Sequence, residues 1–75
     1  MESVDRLVML GKKQLEDGRY NEALNSFEQG ISLNRNDPDL WNLKGIALRS
    51  LGRYDEAIVC FNKSLEIDPR DKNTS

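Results

Sequence analysis

Gly18-Arg19-Tyr20-Asn21-Glu22-Ala23-Leu24-Asn25-Ser26-Phe27 is followed, thirty-four residues later, by Gly52-Arg53-Tyr54-Asp55-Glu56-Ala57-Ile58-Val59-Cys60-Phe61. The match extends outward without a gap. Asp5 falls on Asp39, Gly11 on Gly45 and Asp37 on Asp71, so residues 4–37 and 38–71 share nine identities in 34 positions. Unrelated sequence of ordinary composition would share roughly two. A fixed period of this length means that one supersecondary unit has been written twice and stacked. It directs function towards a displayed surface and away from a catalytic pocket.

Each unit divides at its Gly-Arg-Tyr. Upstream of Gly18, Val4, Leu7, Val8, Leu10 and Leu15 recur at helical spacing; downstream, Tyr20, Ala23, Leu24, Phe27, Ile31 and Leu33 do the same. The second unit has matching stripes in Leu40, Trp41, Leu43, Ala47, Leu48 and Leu51, then Tyr54, Ala57, Ile58, Phe61, Leu65 and Ile67. Apolar residues three and four apart make one face of a helix, and strand-like alternation is absent. Gly18 and Gly52 sit where a left-handed C-cap would end a helix. Asp37-Pro38 reads as an N-cap followed by proline in the first turn. Asp68-Pro69 stops the last helix, because the residue before proline is pushed out of helical geometry. The spacing predicts four helices at about 4–17, 20–34, 38–51 and 54–67, with short connections that set neighbours antiparallel. Residues 72–75 are polar and are expected to fray.

Composition narrows the class. Hydrophobic residues make up 37% and charged residues 32% of 75, with a net charge of −2. This suits one small all-α domain and offers no long-range attraction for nucleic acid. The apolar run Ile58-Val59-Cys60-Phe61, even with Ala57 before it, is too short to span a bilayer. There is no signal-peptide pattern at the amino terminus, and a single cysteine cannot make an internal disulfide, so an intracellular, cytoplasmic location is expected. Cys60 reads as a small hydrophobe within an apolar stretch. With no histidine, Ser-His or Cys-His nucleophiles and histidine-ligated metals are ruled out, and the five glycines form no phosphate loop. Glu16-Asp17 and Asp55-Glu56 are adjacent pairs whose side chains diverge on a helix. The expectation is a protein with no catalytic residue, metal or cofactor, and with no nucleic-acid or membrane partner.

Gly11 and Gly45 lie inside helices, where glycine costs about 1 kcal/mol relative to alanine. A cost incurred twice implies close approach by the partner helix, and Ala23 and Ala57 are the small residues expected to meet these glycines. Trp41, Tyr20, Tyr54, Phe27 and Phe61 are expected to fill the space around them as core.

The residues now carry a resemblance. Trp41, Gly45, Ala57, Phe61 and Pro69, with Leu10-Gly11, Ala23 and Phe27 in the first unit, resemble the W-x2-L-G-x2-Y, A-x3-F, P pattern of the tetratricopeptide repeat (TPR) family. Leu7 and Gln14 replace the first unit's tryptophan and tyrosine, Lys44 and Leu48 depart from the pattern in the second, and Arg35 stands at the proline position. The resemblance implies two tandem helix-turn-helix hairpins with right-handed superhelical stacking: repeat one at 4–37, repeat two at 38–71. It also implies a scaffold whose first helices line a groove that holds a peptide or helix of a partner protein. Carried over by register, the groove positions are Asp5, Val8, Lys12, Leu15 and Glu16, with Asp39, Asn42, Ile46, Arg49 and Ser50. Val8, Leu15 and Ile46 read either as groove anchors or as the rim of the core. The family's clamp for chaperone tails needs Lys and Asn in the first helix and Asn in the third. Val8, Lys12 and Leu43 stand at those places, so no such binding is expected.

Stacked repeats usually need three units and a polar cap, and this chain shows two. The outer face of the last helix, through Ile58, Cys60, Phe61 and Leu65, is therefore expected to be partly bare. Such a face would suit a self-assembling homo-oligomer or a piece of a longer array.

Overall fold

The computed structural model of the chain describes residues 3–69. Four helices account for nearly all of it: α1 (Val4–Glu16), α2 (Tyr20–Leu33), α3 (Pro38–Ser50) and α4 (Tyr54–Ile67). Among the described residues there is no strand. The tail expected to fray, 72–75, and the end of repeat two lie outside the described residues.

The helix ends follow from local chemistry. Gly18 and Gly52 take φ values of +79° and +81°. In the first turn the Arg19 N–H donates to Gln14 O at 2.8 Å and the Gly18 N–H to Leu15 O at 3.1 Å. Arg53 to Leu48 O and Gly52 to Arg49 O repeat the arrangement at 2.9 and 3.0 Å. These paired bonds are a Schellman cap, in which the left-handed glycine lets the chain fold back onto its own last carbonyls. At the start of α3 the Asp37 carboxylate accepts from the Asp39 and Leu40 N–H groups at 3.0 and 3.4 Å, and Pro38 opens the helix. Helices α2 and α4 have no side-chain N-cap. Their N-cap arginines pair with the glutamate three residues on, Arg19 with Glu22 and Arg53 with Glu56.

Consecutive helices pack on one another, and α1 touches α3 lightly. The result is two hairpins side by side, α1 and α3 in one layer and α2 and α4 in the other. The chain measures 36 × 29 × 18 Å, and its thinnest dimension is that of two helix layers spaced about 10 Å apart.

The core runs through Leu24, Phe27, Leu40, Ala47, Leu48, Ala57 and Cys60, with Ala23 fully enclosed. Its keystone corrects the expected glycine–alanine contact. A Cβ placed on Gly11 would lie 2.3 Å from Phe27 Cε1, and one on Gly45 would lie 2.5 Å from Phe61 Cε1. The glycines are therefore slots for the edge of a phenylalanine ring from the partner helix. The reason is geometric: Phe27 and Phe61 follow Ala23 and Ala57 by one helical turn, so ring and glycine share the crossing point. Gly30 serves the next junction in the same way, for a Cβ there would stand 2.9 Å from Leu40 of α3.

The two repeats fill one buried position differently. In the first, the Ser26 hydroxyl donates to Gln14 Oε1 at 2.7 Å and lies 3.2 Å from Glu22 O. In the second, Leu48 and Cys60 occupy the equivalent places, both buried. Gln14 at the family's tyrosine position is thus a polar pair answered across the hairpin.

Candidate partner-binding groove

On a helix each residue turns about 100° from the last. Asp5, Val8, Lys12, Leu15 and Glu16 therefore fall on one side of α1, and Asp39, Asn42, Ile46, Arg49 and Ser50 on the corresponding side of α3. That side borders the buried stripe, which is Leu7 and Gly11 on α1 and Leu40, Gly45, Ala47 and Leu48 on α3. Because α1 and α3 belong to one layer, the two sets form one continuous face.

Its exposure is graded. Asp5, Lys12, Glu16, Asp39, Asn42, Arg49 and Ser50 are exposed, whereas Val8, Leu15 and Ile46 are half-buried. Val8 and Leu15 rest against the edge of the core. Ile46 lies a turn from Asn42 and Arg49, so a half-buried apolar side chain is bordered by amide and charge. Asp5, Lys12, Glu16 and Arg49 make no ion pair among the described residues. The pairs Arg19–Glu22 and Arg53–Glu56 lie at the hairpin turns, and Lys44–Glu28 joins α3 to α2.

Trp41 and Lys44 belong to the scaffold. The Trp41 indole N–H donates to Arg35 O at 2.8 Å, and the Lys44 ammonium lies 5.5 Å above the ring while reaching Glu28 at 3.5 Å. One lysine thus ties α3 to α2 and shields the indole. This explains a lysine at a position where the repeat pattern has leucine. Leu43 is half-buried against the core rather than on the open face. No group of three or more His, Cys, Asp or Glu side chains gathers to hold a metal among the described residues.

At the far end of the molecule one expectation is corrected. Cys60 is 4% exposed, because it projects with Ala57 and Ser64 towards α3. Burial raises its thiol pKa above the ordinary value. Ile58 and Leu65 are 55% and 43% exposed, and Phe61 is half-buried with its ring in the Gly45 slot. Tyr54, expected in the core, is 61% exposed. Its counterpart Tyr20 is half-buried, since α3 lies beside α2 and no described residue takes that place beside α4. The repeat register carries the signal that was missed: a residue whose twin is covered by the following helix needs a following helix.

Comparison with known proteins agrees with the geometry. Residues 4–37 and 38–71 each match the tetratricopeptide repeat family. An uncharacterized protein of Methanocaldococcus jannaschii is 37% identical over 89% of this chain, which spans 81% of that protein. The Hsp70-Hsp90 organising protein of Plasmodium falciparum is 40% identical over 88% of the chain, and human anaphase-promoting complex subunit 7 is 37% identical over 83%. The chain spans only 26% and 11% of the lengths of those two proteins. With two repeats matched end to end, each folded as a helical hairpin closed by a ring-in-glycine contact, the chain belongs to the tetratricopeptide repeat family.

Proposed function

We propose that this chain is a non-enzymatic protein-interaction module whose open face on α1 and α3 holds a peptide or helix of a partner protein. The observation that carries this reading is the half-buried Ile46 one turn from exposed Asn42 and Arg49, with Arg49 in no ion pair among the described residues. Binding would draw on the apolar floor of Val8, Leu15 and Ile46. Specificity would come from Asp5, Lys12, Glu16, Asp39 and Arg49, with Asn42 and Ser50 offering hydrogen bonds. Relatives such as the Hsp70-Hsp90 organising protein and the peroxisomal targeting signal receptor of Saccharomyces cerevisiae bear names that describe dealings with other proteins. A cytoplasmic location is part of the proposal, supported by a single cysteine that can form no internal disulfide.

The test is selection of peptides from a displayed library on the immobilised chain, followed by calorimetry. Ile46→Glu and Arg49→Glu are expected to weaken the selected peptides by tenfold or more while leaving helicity unchanged. Peptides that bind undiminished to both variants would refute the assignment of the face. The acidic tail peptide of large chaperones is expected not to bind, because Val8 and Leu43 occupy two of the places where a carboxylate clamp needs polar groups.

A second reading is favoured by the bare stripe on α4. Tyr54, Ile58 and Leu65 are all exposed on one side of that helix, which supports association of the chain with itself through this end.

A further inference from the structure

We propose that two copies of the chain join tail to tail, α4 against α4 across a two-fold axis, through an antiparallel seam of Tyr54, Ile58, Phe61 and Leu65. This rests on the self-association reading above and specifies its geometry.

Spacing is the first argument. The four residues are separated by four, three and four positions, the alternation of a coiled-coil seam. That series is the same read in either direction. Laid antiparallel on a second α4, it sets Tyr54 opposite Leu65 and Ile58 opposite Phe61, and the mirrored pairs complete four layers. Along the outer flank Asp55 comes opposite Asn62 of the second copy, so no like charges meet.

The chain itself supplies the second argument. Tyr20, Leu24, Phe27 and Ile31 are the same stripe in α2, and there α3 lies across it, antiparallel, with Leu40 seated on Gly30. Leu24 and Phe27 are buried as a result, whereas Ile58, the twin of Leu24, is exposed. A helix laid across this stripe is therefore already a stable junction of the fold. In the second copy, α4 is the helix that brings a matching apolar series.

The other arrangement of two copies fits these residues less well. In a head-to-tail stack, α1 of one copy would play the part of α3. Arg6 and Lys13 would then stand where Leu40 and Ala47 are wholly enclosed. The counterpart of Gly30 at the receiving end is Ser64, which offers no carboxylate. Two cations would be drawn out of water at places that are apolar in the existing junction, which is disfavoured. A seam that uses the same patch on both copies closes at two, whereas a head-to-tail contact would grow into filaments.

Sedimentation equilibrium of the full chain over a roughly hundredfold range of concentration tests this. The expected result is a mass that rises to twice that of the chain and levels there. Ile58→Glu and Leu65→Glu, both at exposed positions, should weaken association by more than tenfold with the helical circular dichroism unchanged. In an otherwise native chain, the pair Tyr54→Cys with Leu65→Cys should form disulfides between copies on mild oxidation, whereas Met9→Cys with Ile58→Cys should give no link through residue 9. A chain that stays monomeric throughout would overturn both this seam and the self-association reading. A dimer that survives Ile58→Glu, a mass that climbs beyond two, or links through Met9→Cys would overturn the seam alone.

Discussion

Gly11→Ala sets two familiar effects against each other. Alanine in place of glycine within a helix stabilises by about 1 kcal/mol, so propensity alone forecasts a gain. The fold forecasts a loss. The new Cβ would stand 2.3 Å from Phe27 Cε1, 2.6 Å from Cζ and 2.8 Å from Cδ1. Ordinary carbon contact begins near 3.5 Å, so the ring must retreat by about 1 Å. Phe27 is 0% exposed and has nowhere to go without moving α2 away from α1. Overpacking of a closed core costs about 1–3 kcal/mol, and a displaced ring stands at the upper end. The expected net change is a loss of about 2 kcal/mol, or roughly 8–16 °C in Tm for a domain of this size. Gly45→Ala supplies the internal comparison. Its Cβ meets Phe61 at 2.5 Å, but that ring is half-buried at the open end and can tilt outward. Its loss should be smaller by about 1 kcal/mol or more. Urea unfolding followed by circular dichroism would measure both, and Phe27→Leu should recover part of the Gly11→Ala deficit by freeing the slot. If Gly11→Ala were neutral or stabilising, the ring-in-glycine account of this family's pattern would fail here.

Three further outcomes follow from the same contacts. Ser26→Ala should cost about 1 kcal/mol, because it leaves Gln14 Oε1 without its hydroxyl donor; combined with Gln14→Leu most of that loss should vanish in a double-mutant cycle, since Leu48 and Cys60 fill the same places in repeat two. Cys60, enclosed and with its thiol pKa raised by burial, should resist alkylation at neutral pH in the native chain and react promptly in denaturant; equal rates in the two states would contradict its placement. The Glu56 carboxyl is held below its ordinary pKa by the hydrogen bonds from Arg53. Its contribution is thus present above the ordinary carboxylate range and is lost as pH falls through the lowered value. Glu56→Gln should therefore flatten the acid limb of the stability curve, modestly because the pair is exposed, and an unchanged limb would refute that role.

Much of this molecule could be read before folding. The helix ends were legible at Gly18, Gly52, Asp37 and Pro69, because capping is chemistry between near neighbours in the chain. The two-hairpin plan was legible from the 34-residue period, and the family from residues such as Trp41, Gly45, Ala57 and Phe61. Which residues share a side of α1 and of α3 could be read from the register, whereas their part in binding, that of Val8, Leu15 and Ile46 included, belongs to the proposal.

Tertiary structure decided what lies across from what. Local sequence shows that Gly11 and Gly45 are approached, but only the crossing of two helices shows that a phenylalanine ring, and not an alanine, takes the space. Cys60 and Tyr54 exchanged their expected environments for a related reason. Whether a side chain is covered depends on which helix lies beside it, and α3 covers Cys60 while no described residue does for Tyr54 what α3 does for Tyr20. Periodicity is a property of one helix, whereas burial is a property of two.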